Sequence, residues 1–193
     1  MSNKKQEKIK EAQKKKLKKI IGWVSVLILL FGGFSILMYV AIQQNEPQGQ
    51  DFSEEIALGE NANQHVALTE ELEITALPPT SGPHFGQVAT AGMRNEEIPD
   101  GHLIHNLEHG DIWISYNPAV SETIVDELRQ FLDGKVVITP RSMNEQDIVL
   151  AAWGRLDSFN IEESGLPEER IRDFIKRYKY SGPERITSPS RGI

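Results

Sequence analysis

The chain has no cysteine among its 193 residues. That excludes disulfides, thiolate catalysis, Cys-ligated zinc and a lipidated N-terminal cysteine. Any metal must therefore be held by nitrogen and oxygen, with Met sulfur the only soft donor. Basic residues are scarce where nucleic acid would need them: residues 51–193 carry 12 Lys and Arg against 25 Asp and Glu. Affinity for nucleic acid rests on Lys and Arg neutralising phosphates, so no nucleic-acid partner is expected for this region. Length is limited too, since 193 residues accommodate one membrane anchor and one ordinary domain, with no comfortable room for another.

Charge is also missing, entirely, from residues 20–42, IIGWVSVLILLFGGFSILMYVAI. As a helix these 23 residues reach roughly 34 Å, enough for a hydrocarbon core of about 30 Å. The run exceeds the roughly 7–15 residues of a cleaved signal's apolar core, and Tyr39 stands where a cleavage site needs a small residue. A retained signal anchor is expected. Trp23 and Tyr39 suit the two interfacial belts. Residues 1–19 carry nine Lys against Glu7 and Glu11, while the twenty residues after the span carry no Lys or Arg. The positive-inside rule then places the N-terminus in the cytoplasm and the remainder outside, a single-pass cell-membrane topology. The basic arm is expected to lie on anionic lipid. Residues 43–51, QQNEPQGQD, are polar with no apolar period and are expected to form a short flexible tether.

The expected extracytoplasmic domain, residues 52–193, is most regular toward its C-terminal end. DIWISY (111–116) alternates as a strand does. Asn117-Pro118 predicts a helix start, with Ile124, Leu128, Phe131 and Leu132 recurring at helical spacing up to Gly134. KVVIT (135–139) and DIVLAAWGRL (147–156) each predict one strand. Pro167 opens a last helix, acidic at its start and basic at its end, with Ile171, Phe174, Ile175 and Tyr178 as its apolar stripe. The expected class is α+β: a mixed sheet with two helices on one face, connected in a ferredoxin-like or thioredoxin-like order. Residues 52–101 show little sustained period and several Pro and Gly, which in a compact domain marks a functional or disordered segment.

Four of the chain's five histidines fall between His84 and His109. His105 and His109 are four apart with Glu108 beside them; as a helical turn the three share a face, and as an extended segment the two histidines still do. HNLEH also has the H-x-x-E-H order of some zinc peptidases, but that motif needs a long helix and this stretch runs into a strand after Gly110. PPTSGPH (78–84) has three prolines and a glycine, so His84 is presented on a stiff loop, as a prearranged metal ligand would be. His65 stands alone in NQHVAL and could supply a fourth nitrogen; His102 follows a turn and is expected to be solvated. Met93 and Met143 are expected to be filler rather than sulfur ligands.

PPTSGPH, HNLEHG running into a strand, AAWGRLDSF (151–159) and GPER (182–185) together resemble a bacterial family catalogued only as a domain of unknown function. Such proteins typically join an N-terminal membrane helix to an extracytoplasmic domain. The resemblance covers roughly residues 60–187 and implies that His65, His84, His105, Glu108 and His109 match the family's pattern, while His102 does not. It implies no activity.

Three functions follow. In the first, His84, His105 and His109 hold a copper or zinc ion, with His65 or Glu108 completing the shell and Glu108 otherwise orienting an imidazole. The second is a metal-dependent hydrolase with Glu108 as general base. The third is a metal-independent envelope binding or assembly module, whose acidic surface meets a basic protein partner and whose histidines are structural or sense pH.

Overall fold

A computed structural model describes residues 3–73 and 75–184 of the chain. It divides into two units, Met1–Glu46 and Pro47–Ile193. In the first, one helix, α1 (Asn3–Asn45), contains the expected span and most of the basic arm; Met1 and Ser2 lie outside the described residues. Its segment Gln13–Gln44 is long and apolar enough to cross a membrane. Large apolar side chains such as Leu29 and Phe31 are exposed along it, and the Ser35 hydroxyl donates to the Phe31 carbonyl one turn back, so its polarity is met within the helix.

In chain order the second unit contains β1 (Glu54–Glu55), β2 (His65–Val66), β3 (His84–Phe85), β4 (Gly92–Met93), α2 (Asp100–Glu108), β5 (Ile112–Tyr116), α3 (Glu122–Leu128), β6 (Val136–Pro140), β7 (Ile148–Ala152), β8 (Arg155–Phe159) and α4 (Glu168–Tyr178). Six strands form one mixed sheet in the order β1-β8-β7-β5-β6-β4. β5 runs parallel to β6, and β6 to β4; β5, β7, β8 and β1 are successively antiparallel. This is an α+β domain. Because β5 and β6 are direct neighbours, the βαβ unit is not split, which removes the ferredoxin-like order.

Every residue of β5, β6 and β7 is buried, as strands covered on both faces must be. Ile112, Ile114 and Tyr116 pack with Leu128 at the end of α3, with Phe131 just after it, and with Ile171 and Phe174 of α4. The two expected helices thus share one face. Trp113, Val137, Val149 and Ala151 point the other way, onto Leu103 and Leu107 of a third helix, α2. That helix carries the histidines to the sheet.

Three boundaries differ from expectation. The helix expected at Asn117 starts at Glu122, with Ser121 as its cap, because the Asn117 side chain instead accepts from the Ala119 amide and forms a turn. Residues 147–156 are two strands, β7 and the start of β8, since Gly154 adopts φ +66 and turns the chain after Trp153. Residues 48–51 are bound rather than loose: the Gln48 and Gly49 amides donate to Asp173, Arg177 donates to the Gly49 carbonyl, and Tyr178 donates to Asp51. Hydrogen bonds to the Asp51 carboxylate hold its pKa below the usual value, although burial alone would raise it.

Candidate metal centre

The site begins with β2 and β3, two residues each, which pair in parallel so that His65 lies opposite His84. The PPTSGPH loop reaches this register through Gly82, whose φ of +123 few other residues adopt, and through the Gly82 amide bonded to the Ala62 carbonyl at 2.7 Å. The Gly82 carbonyl then faces the His84 ring: Nδ1 donates to it at 2.8 Å.

His105 and Glu108 come from α2, so the helical alternative for residues 105–109 holds. Arg141 anchors its start, donating to both carboxylate oxygens of Asp100 and to the carbonyls of Thr75 and Ala76. At its end Gly110 takes φ +76, and the Lys135 ammonium donates to the His109 carbonyl at 2.9 Å, next to the negative end of the helix dipole. Leu103 and Leu107 face the sheet, while another side of the helix reads the backbone of residues 85–89. His105 Nδ1 donates to the Phe85 carbonyl at 2.9 Å, His102 Nδ1 to Gln87 at 2.8 Å, and Asn106 exchanges hydrogen bonds with Ala89 in both directions. Alternate residues of an extended segment point the same way, and three side chains of α2 use that period. His102, expected in solvent, is buried because it serves this segment.

These elements bring four side chains together. His84 Nε2 lies 3.1 Å from Glu108 Oε2, His65 Nε2 at 3.4 Å and His105 Nε2 at 3.9 Å from the same oxygen. One ligand atom from each of the four lies within 4.8 Å of every other, near enough for all to hold one ion. His84, His105 and Glu108 are buried, whereas the His65 side chain is 50% exposed. The ring centroids of His65, His84 and His105 stand 4.7–5.2 Å apart, and Trp153 of the β7-β8 turn meets His84 edge-on.

Carbonyl oxygens only accept, so in the neutral rings of His84 and His105 the proton is on Nδ1. Each Nε2 faces Glu108, and that of His84 lies within hydrogen-bonding distance of its Oε2. Burial, with neighbouring His109, His84 and His65, pushes the His105 pKa down to about 4, and the Glu108 charge only partly offsets this. The imidazole is a neutral donor at ordinary pH. Three imidazole nitrogens and a carboxylate oxygen converging on one point match the donor set of a cation site.

His109 stands beside this group, its ring 4.6 Å from that of His105 and its Nε2 3.3 Å from Glu184 Oε2. Glu184 belongs to GPER, whose Arg185 lies outside the described residues. Position in the sequence offered no reason to join it to His109. Met93 packs against the core and Met143 is exposed; neither belongs to the group. Two cavities of about 510 Å³ each, one beside Met93–Pro99 and one among Leu72, Phe85 and Met143, are lined by none of the four residues.

The family described as Protein of unknown function (DUF3105) matches residues 65–191, well over half of the chain. The match starts at His65 and takes in the whole candidate centre. No curated protein and no solved structure matches the chain.

Proposed function

We propose that this chain, which belongs to that family, is a membrane-anchored protein whose extracytoplasmic domain binds a copper or zinc ion through His84, His105 and Glu108, with His65 as the exposed fourth ligand. The observation that carries this is convergence: the Nδ1 atoms of His84 and His105 are engaged by backbone carbonyls, and the Nε2 atoms of His65, His84 and His105 all face one oxygen of Glu108. Three nitrogens and one oxygen suit Zn(II) and Cu(II), and copper wins where both compete. Bound there, the ion would supply the positive charge that the four donors lack. His65, half in solvent, gives an ion a way in and out without opening the core. The anchor and outward orientation rest on the apolar segment Gln13–Gln44 and on the lysines that precede it.

Full-length protein in detergent micelles tests the proposal. Calorimetric titration with Zn(II) and Cu(II) is expected to show a tight site that His84→Ala and His105→Ala abolish. Glu108→Gln keeps the shape and weakens binding about 100-fold or more, since even outer-shell changes cost 10–100-fold. Equal binding by wild type and all three variants would sink the proposal, with circular dichroism checking that each is folded.

A further inference from the structure

The chain past α4 makes an approach that the first ion does not require. Tyr180 adopts φ 70, a left-handed conformation that a residue with a side chain rarely takes. There its amide donates to the Gly110 carbonyl at 2.8 Å, and the Glu184 amide donates to the Glu108 carbonyl at 3.1 Å. Gly182 passes so close to the end of α2 that a Cβ would collide with the Glu108 carbonyl and the Gly110 amide. A strained residue, two backbone hydrogen bonds and a glycine fit therefore strap this segment to α2. The side chain delivered is Glu184, to His109.

One oxygen of Glu108, one nitrogen of His109 and one oxygen of Glu184 lie within 4.8 Å of one another. His109 is nine-tenths buried, and its Nδ1 has no hydrogen-bond partner among the described residues. Its Nε2 to Glu184 distance of 3.3 Å exceeds the roughly 2.7–2.9 Å of a charge-assisted hydrogen bond. Two carboxylates and an imidazole at this spacing are a donor set that could hold a cation. Glu184 is half-exposed and keeps the place open to solvent.

We infer that Glu108, His109 and Glu184 form a second cation site, so that Glu108 bridges two ions. The inference rests on the first site only through that shared carboxylate. The two donor sets differ: three nitrogens and an oxygen favour copper or zinc, whereas two carboxylates and one nitrogen favour a harder ion such as Mn(II), or Zn(II) once the first site is filled.

The test is stoichiometry in the full-length protein. Titration with Zn(II) should give two equivalents for wild type, and one for Glu184→Gln and His109→Gln, with second-equivalent affinity at least about 100-fold weaker in both. Loaded with two equivalents of Cu(II), wild type should lose electron paramagnetic resonance intensity through coupling across the bridge, whereas Glu184→Gln with one equivalent should keep the full single-ion signal. One equivalent in wild type, unaltered by Glu184→Gln, overturns the second site and leaves the first standing. Two equivalents in both proteins place the second ion elsewhere and also overturn it. No binding at all overturns both sites.

Discussion

His105 joins the chemistry of the centre to the stability of the domain. Its pKa falls from about 6.5 in an unfolded chain to about 4 in the folded one, because burial and three neighbouring imidazoles disfavour its charge more than Glu108 favours it. Between those values the unfolded chain holds the extra proton, so lowering the pH draws the protein toward unfolding. The contribution is fully present above about pH 6.5 and is lost progressively toward pH 4. In chelator, the thermal midpoint should fall steadily from pH 7 to pH 5, and His105→Gln should flatten that slope; an equal slope in the variant would remove His105 as its source. Residue types alone pointed to His84, His105 and His109, with His65 or Glu108 completing the shell; the fold gathers His65, His84, His105 and Glu108 and sets His109 beside them with Glu184. The residue types set His102 apart as a residue expected in solvent but could not show its burial, since a hydrogen bond to the Gln87 carbonyl leaves no periodic trace. Glu184 was equally silent: its approach depends on a backbone strap, and residue 182 signals that only by being glycine.

Among the elements, α2 matters most, and its placement depends on a buried arginine in another part of the chain. The Arg141 side chain is 4% exposed and spends its donors on Asp100, Asn144 and the carbonyls of Thr75 and Ala76. Arg141→Ala leaves those acceptors unpaired and is expected to cost about 3–5 kcal/mol, the usual penalty for breaking a buried ion pair. Denaturant unfolding measures it, and a loss below about 1 kcal/mol would show that α2 is held by its leucines alone. The strands around this helix were legible because five-residue apolar runs admit few other readings, and α4 because its apolar stripe and its charges agree. α2 was only half legible. Its nine residues are too short to display a period, and its buried polar side faces backbone carbonyls rather than apolar side chains. The β7-β8 turn was missed for a related reason: in AAWGRL one glycine carries the whole reversal, and the flanking residues read as a single run.

At the scale of the whole chain, two opposed charge distributions support the proposed orientation. Nine lysines precede the apolar span, and an excess of carboxylates fills residues 51–193. A basic arm gains about 1 kcal/mol per residue beside anionic lipid, whereas an acidic domain gains nothing there. Outside the cell such a domain would also raise the local concentration of cations around the candidate centre, which suits the proposed metal binding. The absence of cysteine makes this orientation directly measurable, because any thiol introduced is the only one. Single substitutions Ser2→Cys, ahead of the arm, and Glu127→Cys, on the exposed side of α3, can each be challenged in intact cells with a membrane-impermeant maleimide. Glu127→Cys is expected to react at once, and Ser2→Cys only after the membrane is permeabilised. The opposite pattern would put the domain in the cytoplasm, where its histidines would meet glutathione-buffered copper and a quite different competition for metal. Labelling of both in intact cells would mean that the span does not cross the membrane, and the lysines would then need another purpose.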